Sequence, residues 1–60
     1  MSIAHNPYAT DDRVKVQRGE GWLEGTVVKT VLARCHVQLD SIDDEPGRIV
    51  VDNYNDVRAA

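Results

Sequence analysis

Apolar and polar residues alternate along this chain in short stretches separated by turn-forming clusters. In "RVKVQ", Val14 and Val16 share one face, and Arg13, Lys15 and Gln17 the other. That is the period-two mark of a half-buried strand. "RGEG" follows, with two glycines in four residues, and predicts a turn. "WLEGTVVKTVL" is rich in branched side chains, which suit a pleated surface. "RCHVQLD" alternates again, with Cys35, Val37 and Leu39 on one face. "SIDDEPG" is a loop, and "RIVVD" a fourth strand bulky enough to be buried. "NYND" carries side chains that hydrogen-bond locally and favour a tight helical turn. "VRAA" makes a short fifth strand.

Five short strands with regular turns and no amphipathic helix predict an all-β fold that closes to protect its edges. The expected architecture is a five-stranded SH3-like barrel with one short helical turn before the last strand. It spans residues 12–60, behind an N-terminal arm at 1–11 that is flexible or loosely packed. Gly25, inside the second strand, predicts a bulge, a bend or a close backbone approach. The expected core is Val14, Val16, Trp22, Val27, Val31, Cys35, Val37, Leu39, Ile49, Val51 and Val57. Ile3 and Tyr8 are candidates to pack onto this body from the arm.

Length and composition narrow the picture. Sixty residues make a single small domain of marginal stability. One cysteine excludes an internal disulfide, so self-association is the staple most open to it. Cys35, His5 and His36 are too few for a structural zinc site, and "DSIDDE" lacks calcium-loop spacing. No metal and no cofactor are expected. Cys35 and His36 are strand neighbours, so they point to opposite faces and form no nucleophile–base pair. The start of the chain lacks the pattern of a secretory signal and no apolar run reaches membrane-span length, which leads us to expect a cytoplasmic protein.

The net charge of −3 argues against a generic nucleic-acid binder. Residues 1–30 are balanced, and the whole deficit lies in 31–60, around Asp40, Asp43, Asp44 and Glu45. This acidic turn is either a solvated loop or a patch that docks a basic partner.

Two resemblances rest on "DRVKV", "GWLEGTVV", "VQLD" and "IVVDNYNDVR". Within SH3-like barrels the chain resembles Tudor and agenet modules over about residues 11–58. That resemblance implies a binding module in which an aromatic near Trp22 helps to cage a methylated side chain by cation–π attraction. The chain has only Tyr8, Trp22 and Tyr54 to offer, and the remaining cage positions fall near Leu39 and Ile42. The scaffold is also similar to the plasmid type II dihydrofolate reductases, through Asp12-Arg13-Val14, Gly21-Trp22, Gly25, Val27-Val28 and Pro46-Gly47. That family lines a tetrameric pore with a V-Q-I-Y segment. Here the matching segment is "RIVVD", so Val50 replaces the pore Gln and Asp52 the pore Tyr. Val makes none of the amide's hydrogen bonds, and four Asp52 side chains would repel anionic ligands.

The favoured expectation is therefore a small non-enzymatic module that binds a protein partner, with no catalytic residues. Its contact residues are expected to be Trp22, Glu20, Asp43, Asp44 and Tyr54. One alternative is an oligomeric reductase-like protein. Another is a nucleic-acid-binding barrel using Arg13, Lys15, Arg18 and Arg34.

Overall fold

The structure is a computed structural model and describes residues 6–40 and 47–60. Ile3, Ile42, Asp43 and Asp44 lie outside the described residues. Five antiparallel strands follow one another: β1 (Arg13–Arg18), β2 (Gly21–Val31), β3 (Arg34–Leu39), β4 (Ile49–Asn53) and β5 (Val57–Ala59). A single 3-10 turn, Tyr54–Asp56, precedes β5. The strand order is β4-β3-β2-β1-β5, so the first four strands form a meander and the last returns to lie against the first. This is the all-β arrangement expected from the alternation.

Both short hairpins turn on two residues. Gly19 has φ +59° and supplies the positive φ that the β1–β2 turn needs. The β2–β3 turn places Leu32 at φ +53°, where a side chain is strained. The 3-10 turn is capped by Asn53, whose Oδ1 accepts from the Asn55 N–H at 2.9 Å.

The core is small and almost wholly branched: Val14, Val16, Val27, Cys35, Val37, Leu39 and Val57 are buried. Tyr8, Leu23, Val50 and Tyr54 pack against it. Residues 6–12 run along the body. The Asp11 N–H donates to Val27 O at 2.7 Å, and the Tyr8 hydroxyl to Val57 O at 2.9 Å. Asn6 Nδ2 donates to the carbonyls of Leu32 and Arg34 at 3.2 and 3.3 Å.

Four of the expected core residues are instead exposed: Trp22, Val31, Ile49 and Val51. Each has a register reason. Trp22 lies five positions from buried Val27, an odd number, so it points away from the core; Leu23 occupies the inward position. In β2, Val27 pairs with Val37 but Lys29 pairs with His36, so Val28 is an extra residue in a bulge. The bulge inverts the faces beyond it. Thr30 comes to stand opposite buried Cys35, and Val31 is turned outward. In β4, Val50 is opposite inward-facing Val37, which sends Ile49 and Val51 to the outer face.

Gly25 lies in the short part of β2 that pairs with both β1 and β3, opposite Val14 and Leu39. A Cβ there would lie 2.5 Å from Gln38 O and 2.8 Å from Val37 Cγ1. A close backbone approach, one of the three roles expected of this glycine, is therefore seen here.

Candidate functional site

The outer face of the β1–β2 hairpin carries the most distinctive side chains. Trp22 faces solvent opposite Gln17, and is 43% exposed. Lys15 lies on the diagonal, with Nζ 5.3 Å from the indole centroid. Diagonal neighbours across a strand pair are within reach of long and aromatic side chains. This exposed cation–π contact contributes about 0.5–1 kcal/mol and favours indole orientations beneath Lys15. Glu20 is exposed in the adjoining turn. Tyr54 is half-buried against the core, and its N–H donates to Ala33 O at 2.9 Å, beside the β2–β3 turn.

The flanks of the acidic turn lie elsewhere. Asp40 N–H donates to Glu24 O at 3.0 Å, and Leu39 N–H to Arg48 O at 3.0 Å. That end of the β3–β4 ladder is opposite the end from which Tyr54 leaves, where Arg34 pairs with Asn53. Trp22 and Glu20 are thus neighbours, while Tyr54 and the flanks of the acidic turn occupy opposite ends of one hairpin. Of the three aromatics, Tyr8 and Tyr54 pack inward and Trp22 outward.

Of the four basic residues considered for nucleic acid, Arg13 and Lys15 share the outer face of β1, Arg18 has the opposite parity, and Arg34 begins β3. Arg13 grips Asp40 through both terminal guanidinium nitrogens, Nη1 and Nη2, at 2.8 and 2.7 Å, and Nη1 also donates to Thr26 Oγ1 at 2.9 Å. The hydrogen bonds from Arg13 hold the Asp40 carboxyl below its ordinary range, and Asp40 in turn raises the Arg13 guanidinium. Arg18 follows the inward parity of Val14 and Val16 at the end of β1. It meets Asp52 of β4 in a second two-nitrogen pair at 3.0 and 3.1 Å. This pair bridges the two strands without a backbone ladder between them, and its hydrogen bonds raise the Arg18 guanidinium. Lys15 lies over Trp22, and Arg34 is exposed beside the β2–β3 turn.

Sequence reasoning missed two exposed apolar surfaces. One is the β2–β3 turn, where Leu32 is 80% exposed beside an open depression of about 450 Å³ lined by Val31, Leu32, Ala33, Arg34 and Asn53. The other is the outer face of β4, with Ile49 and Val51. A leucine in place of the usual Gly or Asn of a two-residue turn is the sequence signal that could have located the first. Among the described residues, no three His, Cys, Asp or Glu side chains converge as metal ligands, and no helix is long and apolar enough to cross a membrane. Cys35 Sγ is buried and 3.5 Å from Asn6 Nδ2.

Compared with protein-family models, curated proteins and solved structures, the chain shows no significant match to any of them. The Tudor and reductase resemblances therefore rest on the quoted motifs and the strand order alone.

Proposed function

We propose that this chain is a small, non-enzymatic binding module of the cytoplasm that engages a protein partner through the outer face of β1–β2. The observation that carries this reading is the exposed Trp22 held under Lys15. Trp22 keeps 43% of its surface exposed on the outer face, and an exposed tryptophan is among the strongest anchors an interface can use. Pre-orientation by Lys15 reduces the entropy lost when a partner closes over the ring. Glu20 and Glu24 lie around it, so a partner surface that pairs an apolar pocket with basic groups fits this face.

The test is affinity capture with wild-type and Trp22→Ala baits compared quantitatively. Trp22→Ala gives up the covered part of the indole and the cation–π contact, so it should melt lower than wild type yet remain folded at the temperature of the capture, which circular dichroism checks. It should lose a defined partner by tenfold or more, roughly the lower bound for an anchor residue. Capture that is identical for the two baits removes Trp22 from the interface and, with it, the reading.

A further inference from the structure

Strand β4 ends the sheet, and among the described residues no strand lies on its other side. The direction of its backbone groups follows from its pairing with β3. Leu39 N–H donates to Arg48 O, and Val37 and Cys35 stand opposite Val50 and Asp52. In an antiparallel ladder the groups of alternate residues point to alternate sides. Residues 48, 50 and 52 therefore address β3, and the N–H and C=O groups of Ile49 and Val51 point away from it. Those same two residues expose their side chains, at 54% and 46%. Edges of this kind are normally blunted by a lysine, a proline or a bulge. Between Ile49 and Val51 there is none of these. The opposite edge, β5, has only three residues.

The five residues "RIVVD" complement themselves when reversed. Placed antiparallel to a second copy and centred on Val50, Ile49 meets Val51 of the second copy and Val51 meets Ile49. Arg48 meets Asp52, and Asp52 meets Arg48, so charge opposes charge at both ends. This register puts the outward backbone groups of Ile49 and Val51 opposite each other, the arrangement in which paired residues exchange both hydrogen bonds. The exposed side chains of both copies then lie on one face and cover one another. Asp52 already accepts from Arg18, and a carboxylate has acceptor sites left for Arg48 of the second copy. The occupant that satisfies hydrogen bonding, apolar cover and charge together is another copy of this chain.

We propose that β4 is a self-recognition edge through which two copies pair antiparallel about Val50, making one sheet continuous across both. This surface is distinct from the Trp22 face and stands or falls independently of it.

Sedimentation equilibrium of the full chain, from low micromolar to millimolar, tests it. The mass should climb from the 6.7 kDa of one chain towards twice that value. Val51→Lys changes an exposed side chain and should leave the circular dichroism spectrum intact. It should weaken association at least about tenfold, the equivalent of 1.4 kcal/mol. Trp22→Ala should not affect association. Register is read separately with Val50→Cys in a Cys35→Ala background. Only pairing centred on residue 50 brings the two cysteines to the roughly 4.5 Å Cα separation of a non-hydrogen-bonded pair, from which a disulfide forms on oxidation. A chain that stays single at every concentration overturns the proposal and leaves the edge to an extended segment of a different protein. Association that survives Val51→Lys, or that Trp22→Ala abolishes, overturns it as well.

Discussion

Gly25 offers the most direct test of the fold. The perturbation is Gly25→Ala, one added methyl group. Its Cβ would stand 2.5 Å from Gln38 O, 2.8 Å from Val37 Cγ1 and 3.0 Å from Leu39 Cα. Two of those three atoms are β3 backbone, held by ladders to β2 and β4, so they cannot swing aside as a flexible side chain would. Overpacking of this sort costs about 1–3 kcal/mol. Against it stands a gain of about 0.4–1 kcal/mol from a stiffer unfolded chain. The net is a loss of about 0–2.6 kcal/mol for Ala, and more for Gly25→Val, whose extra methyls enter the same space. A chain this size holds roughly 3–9 kcal/mol in total. Each kcal/mol moves the melting point by about 4–8 °C. Thermal melts followed by circular dichroism should therefore show Gly25→Ala lowered by several degrees and Gly25→Val largely unfolded. The control is Gly21→Ala in the same strand, where a Cβ meets nothing within 4 Å and should change little. If Gly25→Val melts with Gly21→Ala and the wild type, β3 does not pass that close to β2, and the argument for the packed sheet fails.

Other expectations follow from single contacts. Arg18→Ala leaves the Asp52 carboxylate, whose side chain is only 15% exposed, without its pair; it should cost about 1–2 kcal/mol in urea unfolding, more than an exposed pair is worth. Asp40 has its folded-state pKa lowered by Arg13, so its contribution is complete above the unfolded value near ~3.9 and is lost as pH falls through the folded one. The stability gap between wild type and Asp40→Asn should accordingly close on acidification below about pH 4, and a gap that widens there would refute the pairing. Leu32→Gly removes a strained positive φ while surrendering little burial; the relief of about 1–2 kcal/mol should match or exceed the added chain entropy, so its melting point should not fall. Tyr8→Phe should cost about 0.5–1.5 kcal/mol by deleting the bond to Val57 O, and an unchanged melt would show that this bond does not contribute to stability.

The strands themselves were legible because each is set by its own residues. Alternation in "RVKVQ" and "RCHVQLD" placed β1 and β3 with their buried faces correct, down to Cys35, Val37 and Leu39. The asparagine before "YND" marked the 3-10 turn through a bond between residues two apart. The order of strands and turns sufficed for the class of fold. The candidate site was legible only in part. Trp22 stood out as a binding residue by type, yet parity with Val27 was needed to see that it faces outward.

What sequence alone determined was local: turn positions, strand positions, and which faces alternate where polar and apolar residues do. Tertiary structure decided everything that depends on pairing. "IVV" has no polar residue to mark a face, so only Val37 across the ladder selects Val50 for the core and leaves Ile49 and Val51 outside. The extra residue at Val28 is invisible in composition, yet it turns Val31 from the core to the surface. The partners of Arg13 and Arg18 lie twenty-seven and thirty-four residues away in sequence. Side-chain direction in a strand has a period of two, so one residue of register, set by the neighbouring strand, decides which groups are core and which are offered to a partner.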